Sequence, residues 1–186
     1  MGSIVLITGG VRSGKSALAE RLAAMHSPVL YVATAEAQDA EMAERIRMHQ
    51  ARRPVDWATV VAPLDLITVA QRDSAACLLI DCLGLWVTNN LLVAEEINLA
   101  APEAFIQGML EHTRVLLDIL ASRQGEAIVV TNEVGLGLVP PYKLGRVFRD
   151  CLGLVNAAVA EKARDVYLCA VGIPIALKKE GVIRLG

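Results

Sequence analysis

Residues 9–16, reading Gly-Gly-Val-Arg-Ser-Gly-Lys-Ser, constrain this chain more than any other stretch. Gly9, Gly14, Lys15 and Ser16 satisfy the pattern G-x-x-x-x-G-K-[ST], and Gly10, Val11, Arg12 and Ser13 fill its variable positions. An apolar, strand-like run, Ile4-Val5-Leu6-Ile7, precedes the pattern, and a helix-patterned stretch over 17–24 follows it. That strand–loop–helix setting turns the pattern into a phosphate cradle. The glycines let the backbone turn tightly enough for successive N–H groups to face phosphate oxygens, and the helix N-terminus adds its partial positive charge. Lys15 then reaches the β- and γ-phosphates, and Ser16 supplies a hydroxyl ligand for Mg²⁺.

The chain has 186 residues, 54% of them hydrophobic, enough for one large core, and reads as a single domain over 1–186. A net charge of −2 gives no global reason to bind nucleic acid or an anionic surface, so basic residues matter where they cluster, as over 45–53. No apolar run approaches the ~20 residues of a membrane span, and no targeting segment opens the chain, so a cytoplasmic protein is expected. Cys77, Cys82, Cys151 and Cys169 lack paired spacing. They are expected to be reduced core residues, neither zinc ligands nor disulfides.

Apolar runs of strand length alternate with helix-period segments, the pattern of a mainly parallel sheet flanked by helices. Strands are expected over 3–8, 29–33, 56–61, 77–80, 127–131 and 165–171, with the 173–185 tail adding an edge hairpin. Helices are expected over 15–25, 39–51, from Pro63 through 71, 83–93 (or a lid-like segment), from Pro102 to 124, and 143–163. Ligands bind such sheets at the carboxyl ends of the strands. Residues 9–16, 34–36, 81 onward and 132–137 should therefore share one crevice.

Asp81 closes the Leu78-Leu79-Ile80 strand, where an acidic residue can support Mg²⁺ or simply cap the next helix. Glu133 follows the strand after the long helix and could orient a nucleophile or accept a proton; equally, it could only satisfy loop backbone. His49 continues the Met42–Ile46 stripe at helical spacing. It is either a satisfied core histidine or, with Arg45, Arg47, Arg52 and Arg53 close by, a nucleophile toward phosphorus. His26 and His112 lack such company and are expected to face solvent.

The ordered set of Thr8-Gly-Gly-Val-Arg-Ser-Gly-Lys-Ser16, Tyr31-Val-Ala-Thr-Ala35, Asp39-Ala-Glu-Met-Ala-Glu-Arg-Ile46 with His49 and Arg53-Pro54, and Asp81-Cys-Leu-Gly-Leu-Trp-Val-Thr-Asn89 resembles one family along nearly the whole chain. Val130-Thr-Asn-Glu-Val-Gly-Leu-Gly-Leu-Val-Pro140, Arg146-Val-Phe-Arg-Asp150 and Asn156 extend the resemblance. The family is the bifunctional adenosylcobinamide kinase/adenosylcobinamide-phosphate guanylyltransferase of cobalamin biosynthesis. It implies a RecA-like P-loop fold, a homotrimer, and a corrinoid substrate phosphorylated by ATP or GTP and then given GMP through a guanylylated His49. Nucleotide contacts implied by position are residues 9–16, Ala33, Thr34, Ala35, Gln50, Ala51, Arg52, Arg53 and Asp81. The chain departs from the family at Val60-Val61, where a glutamate belongs to the nucleotide contacts. Competing readings are a small-molecule kinase with a structural His49, and an NTP-driven switch module acting on a protein partner.

Overall fold

A computed structural model describes residues 2–36, 44, 47, 48, 50, 51 and 53–184. In chain order the described elements are β1 (Ser3–Gly9), α1 (Lys15–Ala23), β2 (Val29–Ala33), β3 (Ala58–Val61), α2 (Leu66–Arg72), β4 (Cys77–Asp81), α3 (Leu83–Val93) and α4 (Glu95–Ala100). They continue with α5 (Pro102–Ser122), β5 (Glu126–Val130), α6 (Lys143–Lys162), β6 (Asp165–Ala170), β7 (Ile173–Lys179) and β8 (Val182–Ile183). One sheet runs β3-β2-β4-β5-β1-β6-β7-β8. The first six strands in that order pair in parallel, and β7 and β8 add an antiparallel edge.

Strand periodicity divides the core into two layers. Ile4, Leu6, Leu78, Ile80, Ala127 and Val129 pack with α2, α3, α5 and α6 on one face. Their alternating neighbours Val5, Ile7, Cys77, Leu79, Ile128 and Val130, with Tyr31, pack with Leu18, Ala19 and Ala23 of α1 on the other. Strands buried on both faces explain why the sequence shows continuous apolar runs there and no alternation.

Several boundaries differ from the sequence reading. The helix expected from Pro63 begins at Leu66, because Asp65 caps it by accepting the Thr68 N–H at 2.9 Å. Residues 83–93 form a core helix and no lid: Trp86 and Val87 are buried, and the indole N–H of Trp86 donates to Leu64 O. The short α4 had no expected counterpart; its only local signal is Glu95 and Glu96 in the first turn. His26 does not face open solvent. Its Nε2 lies 3.2 Å from Glu126 Oε2 across the sheet's amino edge, whereas His112 is exposed as expected. The helix expected over 39–51 falls largely outside the described residues, although Glu44, Arg47, Met48 and Gln50 are helical.

Candidate nucleotide site

The strand register aligns the elements that meet at the carboxyl edge. Ala33, Asp81 and Val130 are neighbours across β2, β4 and β5, and β1 runs two residues further, to Gly9. Backbone bonds then join the loops that follow. Thr34 N donates to Asp81 O at 3.1 Å, and Glu133 N donates to Gly9 O at 3.0 Å. The Thr34 hydroxyl donates to Cys82 O and accepts from Cys82 N. The segments expected to share a crevice, 9–16, 34–36, 81 onward and 132–137, therefore meet at one sheet edge.

The phosphate loop is shaped by close approach. A Cβ on Gly9 would lie 2.3 Å from Cys169 O, and Gly14 at φ +95° lies against Gly172, whose N–H donates to Ser13 O at 3.1 Å. Arg12, at φ 53°, and Gly14 bracket Ser13 in left-handed conformations, a nest-like alternation that turns N–H groups inward. No side chain caps α1, so its first N–H groups remain available to an anion. Gly10, Val11 and Arg12 are exposed at the loop tip, and the Ser13 hydroxyl is buried with no hydrogen-bond partner among the described residues.

Lys15 is 8% exposed, and its ammonium donates to Gly10 O at 2.6 Å. Burial lowers its pKa, opposed by the nearby Cys82, Asp81 and Cys169. A phosphate, with its negative charge, would oppose the same penalty. Ser16 Oγ donates to Asp81 Oδ2 at 3.0 Å, and the Tyr31 hydroxyl donates to the same oxygen at 2.7 Å. A hydroxyl and a carboxylate converging on one point suit Mg²⁺, which takes a few protein oxygens and completes its shell with phosphate and water. No cluster of three or more His, Cys, Asp or Glu residues suited to a metal occurs among the described residues.

Ala33 ends β2, Thr34 is fully buried, Ala35 is half-buried, and Gln50 and Ala51 are exposed. His49 and Arg52 lie outside the described residues, as do Arg45, Ile46 and Met42. The two arginines of the cluster that are described have different partners. Arg47 pairs with Glu44 on an exposed helix face, whereas the Arg53 guanidinium lies 3.3 Å over the Tyr31 ring. Val60 and Val61 pair with Val32 and Ala33 at the crevice flank and are exposed.

Glu133 Oε1 accepts the N–H groups of Gly135, at 2.5 Å, and Leu136, at 3.1 Å, holding the start of the 133–142 loop. Asn156, from α6, supports the same strand end through Thr131 and Asn132. The four cysteines are free, and burial raises each thiol, Cys77 and Cys151 to about 12 and Cys82 to about 11. They stay protonated, as the core reading expects. Tyr31 was not among the expected site residues; in the sequence it entered only as the first residue of the Tyr31–Ala35 stretch that carries the family resemblance.

Solved structures with this fold include a prototypical ATPase from the type III secretion system of pathogenic bacteria, TM-score 0.56 and 10% identical, covering 94% of this chain and 56% of that one. A Pyrococcus horikoshii OT3 protein follows at TM-score 0.53 and 10% identity, covering 98% and 91%. Among curated proteins, the bifunctional adenosylcobalamin biosynthesis protein CobP of Pseudomonas aeruginosa is 43% identical over 178 residues, 94% of this chain and 97% of that protein. The corresponding CobU proteins of Salmonella typhimurium and Escherichia coli are each 37% identical over 183 residues, 94% of this chain and 99% of theirs. The family model for cobinamide kinase / cobinamide phosphate guanyltransferase matches residues 5–177. A phosphate loop after β1 with its acidic partner at the end of β4, across β5, in a chain matched nearly end to end, makes this protein a member of the cobinamide kinase / cobinamide phosphate guanyltransferase family.

Proposed function

We propose that this protein phosphorylates adenosylcobinamide with ATP or GTP and then transfers GMP from GTP to the product, giving adenosylcobinamide-GDP. The observation that carries the phosphoryl half is the contact between Ser16 Oγ and Asp81 Oδ2 beside an uncapped α1 N-terminus. In the kinase step the aminopropanol hydroxyl of the corrinoid attacks the γ-phosphorus. The bond from that phosphorus to the β,γ-bridging oxygen breaks, and the nucleoside diphosphate leaves. Lys15 and the N–H groups of residues 9–16 hold the phosphates in line. Glu133 accepts the hydroxyl proton on Oε2 while Oε1 keeps the loop in shape. Mg²⁺ held by Ser16 and Asp81 would supply charge neutralisation at the transferring phosphoryl group.

In the second step a neutral His49 imidazole attacks the α-phosphorus of GTP and pyrophosphate leaves. The phosphate of the corrinoid product then attacks that phosphorus, breaking the P–N bond and freeing the histidine. The arginines around His49, with Gln50 and Ala51, would meet the polyphosphate. The corrinoid would rest beside the 133–142 loop, where Leu136, Leu138 and Tyr142 are exposed. An apolar hollow of about 190 Å³ lies between α3 and the start of α6, lined by Leu91, Leu92, Tyr142 and Phe148. We place the reaction in the cytoplasm, where both nucleotides are available; among the described residues no helix is long and apolar enough to cross a membrane. A homotrimer is part of the same reading.

Incubation with α-³²P-GTP tests the second step. Wild type should carry label through an acid-labile, alkali-stable bond, and His49→Ala should carry none. Equal labelling of the variant removes the covalent role. Phosphorylation of adenosylcobinamide without pyrophosphate release from GTP would identify a kinase alone. A stable nucleotide-dependent protein partner with no corrinoid turnover would identify a switch module.

A further inference from the structure

We propose that Tyr31 is a positioning residue joining the two halves of the site: its ring carries Arg53, and its hydroxyl aims the Asp81 carboxylate at the point where Ser16 meets a nucleotide-bound Mg²⁺. The inference rests on the Mg²⁺ role proposed above for Ser16 and Asp81.

Asp81 Oδ2 accepts two hydrogen bonds, from Ser16 Oγ at 3.0 Å and from the Tyr31 hydroxyl at 2.7 Å. A serine hydroxyl can ligate a cation through a lone pair and still donate its proton to the carboxylate. The Ser16 bond thus survives metal binding, but it comes from the side of the phosphate loop and α1. The Tyr31 bond comes from inside the sheet, where the residue is 3% exposed and packed with Val29, Leu79 and Val130. It fixes the carboxylate from the rigid side. Groups that orient a metal ligand in this way commonly set metal affinity.

The ring has a second role. The Arg53 guanidinium lies 3.3 Å from its centroid, and Arg53 Nε and Nη1 are buried with no hydrogen-bond partner among the described residues. A stacked guanidinium keeps its in-plane donors for another acceptor, here a nucleotide phosphate. Arg53 lies four residues beyond His49 in sequence, so the segment proposed for guanylyl transfer and the carboxylate proposed for the metal share one tyrosine.

GTP binding measured by calorimetry across a Mg²⁺ series, from metal-free to saturating, separates this role from mere filling of the core. Tyr31→Phe keeps the ring and removes the hydroxyl. The Mg²⁺ concentration that half-restores tight binding should rise about tenfold, with the metal-free affinity and melting temperature near wild type. Tyr31→Leu should also weaken metal-free binding several-fold, because Arg53 loses its platform. In an Asp81→Asn background, Tyr31→Phe should produce no further shift. A Tyr31→Phe curve that overlays wild type, or an undiminished shift in the Asp81→Asn background, overturns the inference. If wild-type GTP affinity does not respond to Mg²⁺ at all, the metal reading of Ser16 and Asp81 fails first and takes the Tyr31 role with it.

Discussion

Glu133 carries two demands on one carboxylate. Oε1 accepts two loop N–H groups. The proposed proton transfer falls to Oε2. Glu133→Gln keeps an acceptor for the loop and abolishes the base. Phosphoryl transfer to the corrinoid should fall about a hundredfold, the scale of a lost general base, while guanylylation of the protein by GTP stays near wild type. Glu133→Ala also frees the loop and should raise the corrinoid KM. Single-turnover assays of each half-reaction read these separately, and a glutamine variant with an intact kinase rate would leave Glu133 only its structural role. The legibility of individual residues divides along similar lines. Lys15, Ser16 and Asp81 were readable because a local motif and a strand end announce them. Tyr31 was not: its partner Asp81 is 50 residues away, and nothing in Tyr-Val-Ala-Thr-Ala distinguishes a strand filler from a hydroxyl aimed at a carboxylate.

At the scale of elements, strands buried on both faces and helices with clear punctuation were legible. Pro102 opens α5 as the sequence predicts. The start of α2 was missed because an Asp65 side-chain cap outweighs the preference of proline for a first turn. Also invisible in sequence was the tie at the amino edge of the sheet. Arg123, at the end of α5, pairs with Asp73, at the end of α2, and donates to Ala75 O and Glu126 O, which precede β4 and open β5. Both side chains are at least nine-tenths buried. Asp73→Ala strands a buried guanidinium and removes the acceptor of the Ala75 N–H. It should cost about 3–5 kcal/mol. At roughly 2–4 °C per kcal/mol for a chain of this size, calorimetry should show a melting point lower by roughly 10 °C. Below that transition nucleotide affinity should hold, since the tie lies at the opposite end of the strands from residues 9–16. Arg123→Met combined with Asp73→Leu should regain only part of the loss, because Ala75 O and Glu126 O still lack their donor.

At the scale of the molecule, the β7–β8 hairpin leaves an exposed apolar surface at the edge of the sheet. Lys178 reaches Ala160 O and Glu161 O at the end of α6, and because the pairing with β6 shifts register between Val166 and Tyr167, Ile175 and Ile173, opposite Leu168 and Ala170, lie on that same side of the sheet, beyond the end of the helix. Ile173, Ile175, Leu177 and Val182 are all exposed, and Ile175, Leu177 and Val182 line an open concavity of about 1120 Å³ at this edge. Apolar edge strands of this kind invite association, and a homotrimer, implied by family resemblance, would give this face a partner. The turn that leads into the same hairpin supports the catalytic end: it donates Gly172 N–H to Ser13 O and crowds any side chain at Gly14. Assembly over the hairpin would therefore steady the phosphate loop. Ile175→Asp with Leu177→Asp puts two charges into that contact. Light scattering coupled to size exclusion should show a trimer for wild type and a monomer for the variant. The monomer should bind GTP several-fold more weakly, because the turn that buttresses Ser13 is released from one side. A variant that remains trimeric would move the interface elsewhere, a monomeric wild type would remove the trimer, and a monomer with unchanged GTP affinity would show that Gly172 holds Ser13 without help from a neighbouring subunit.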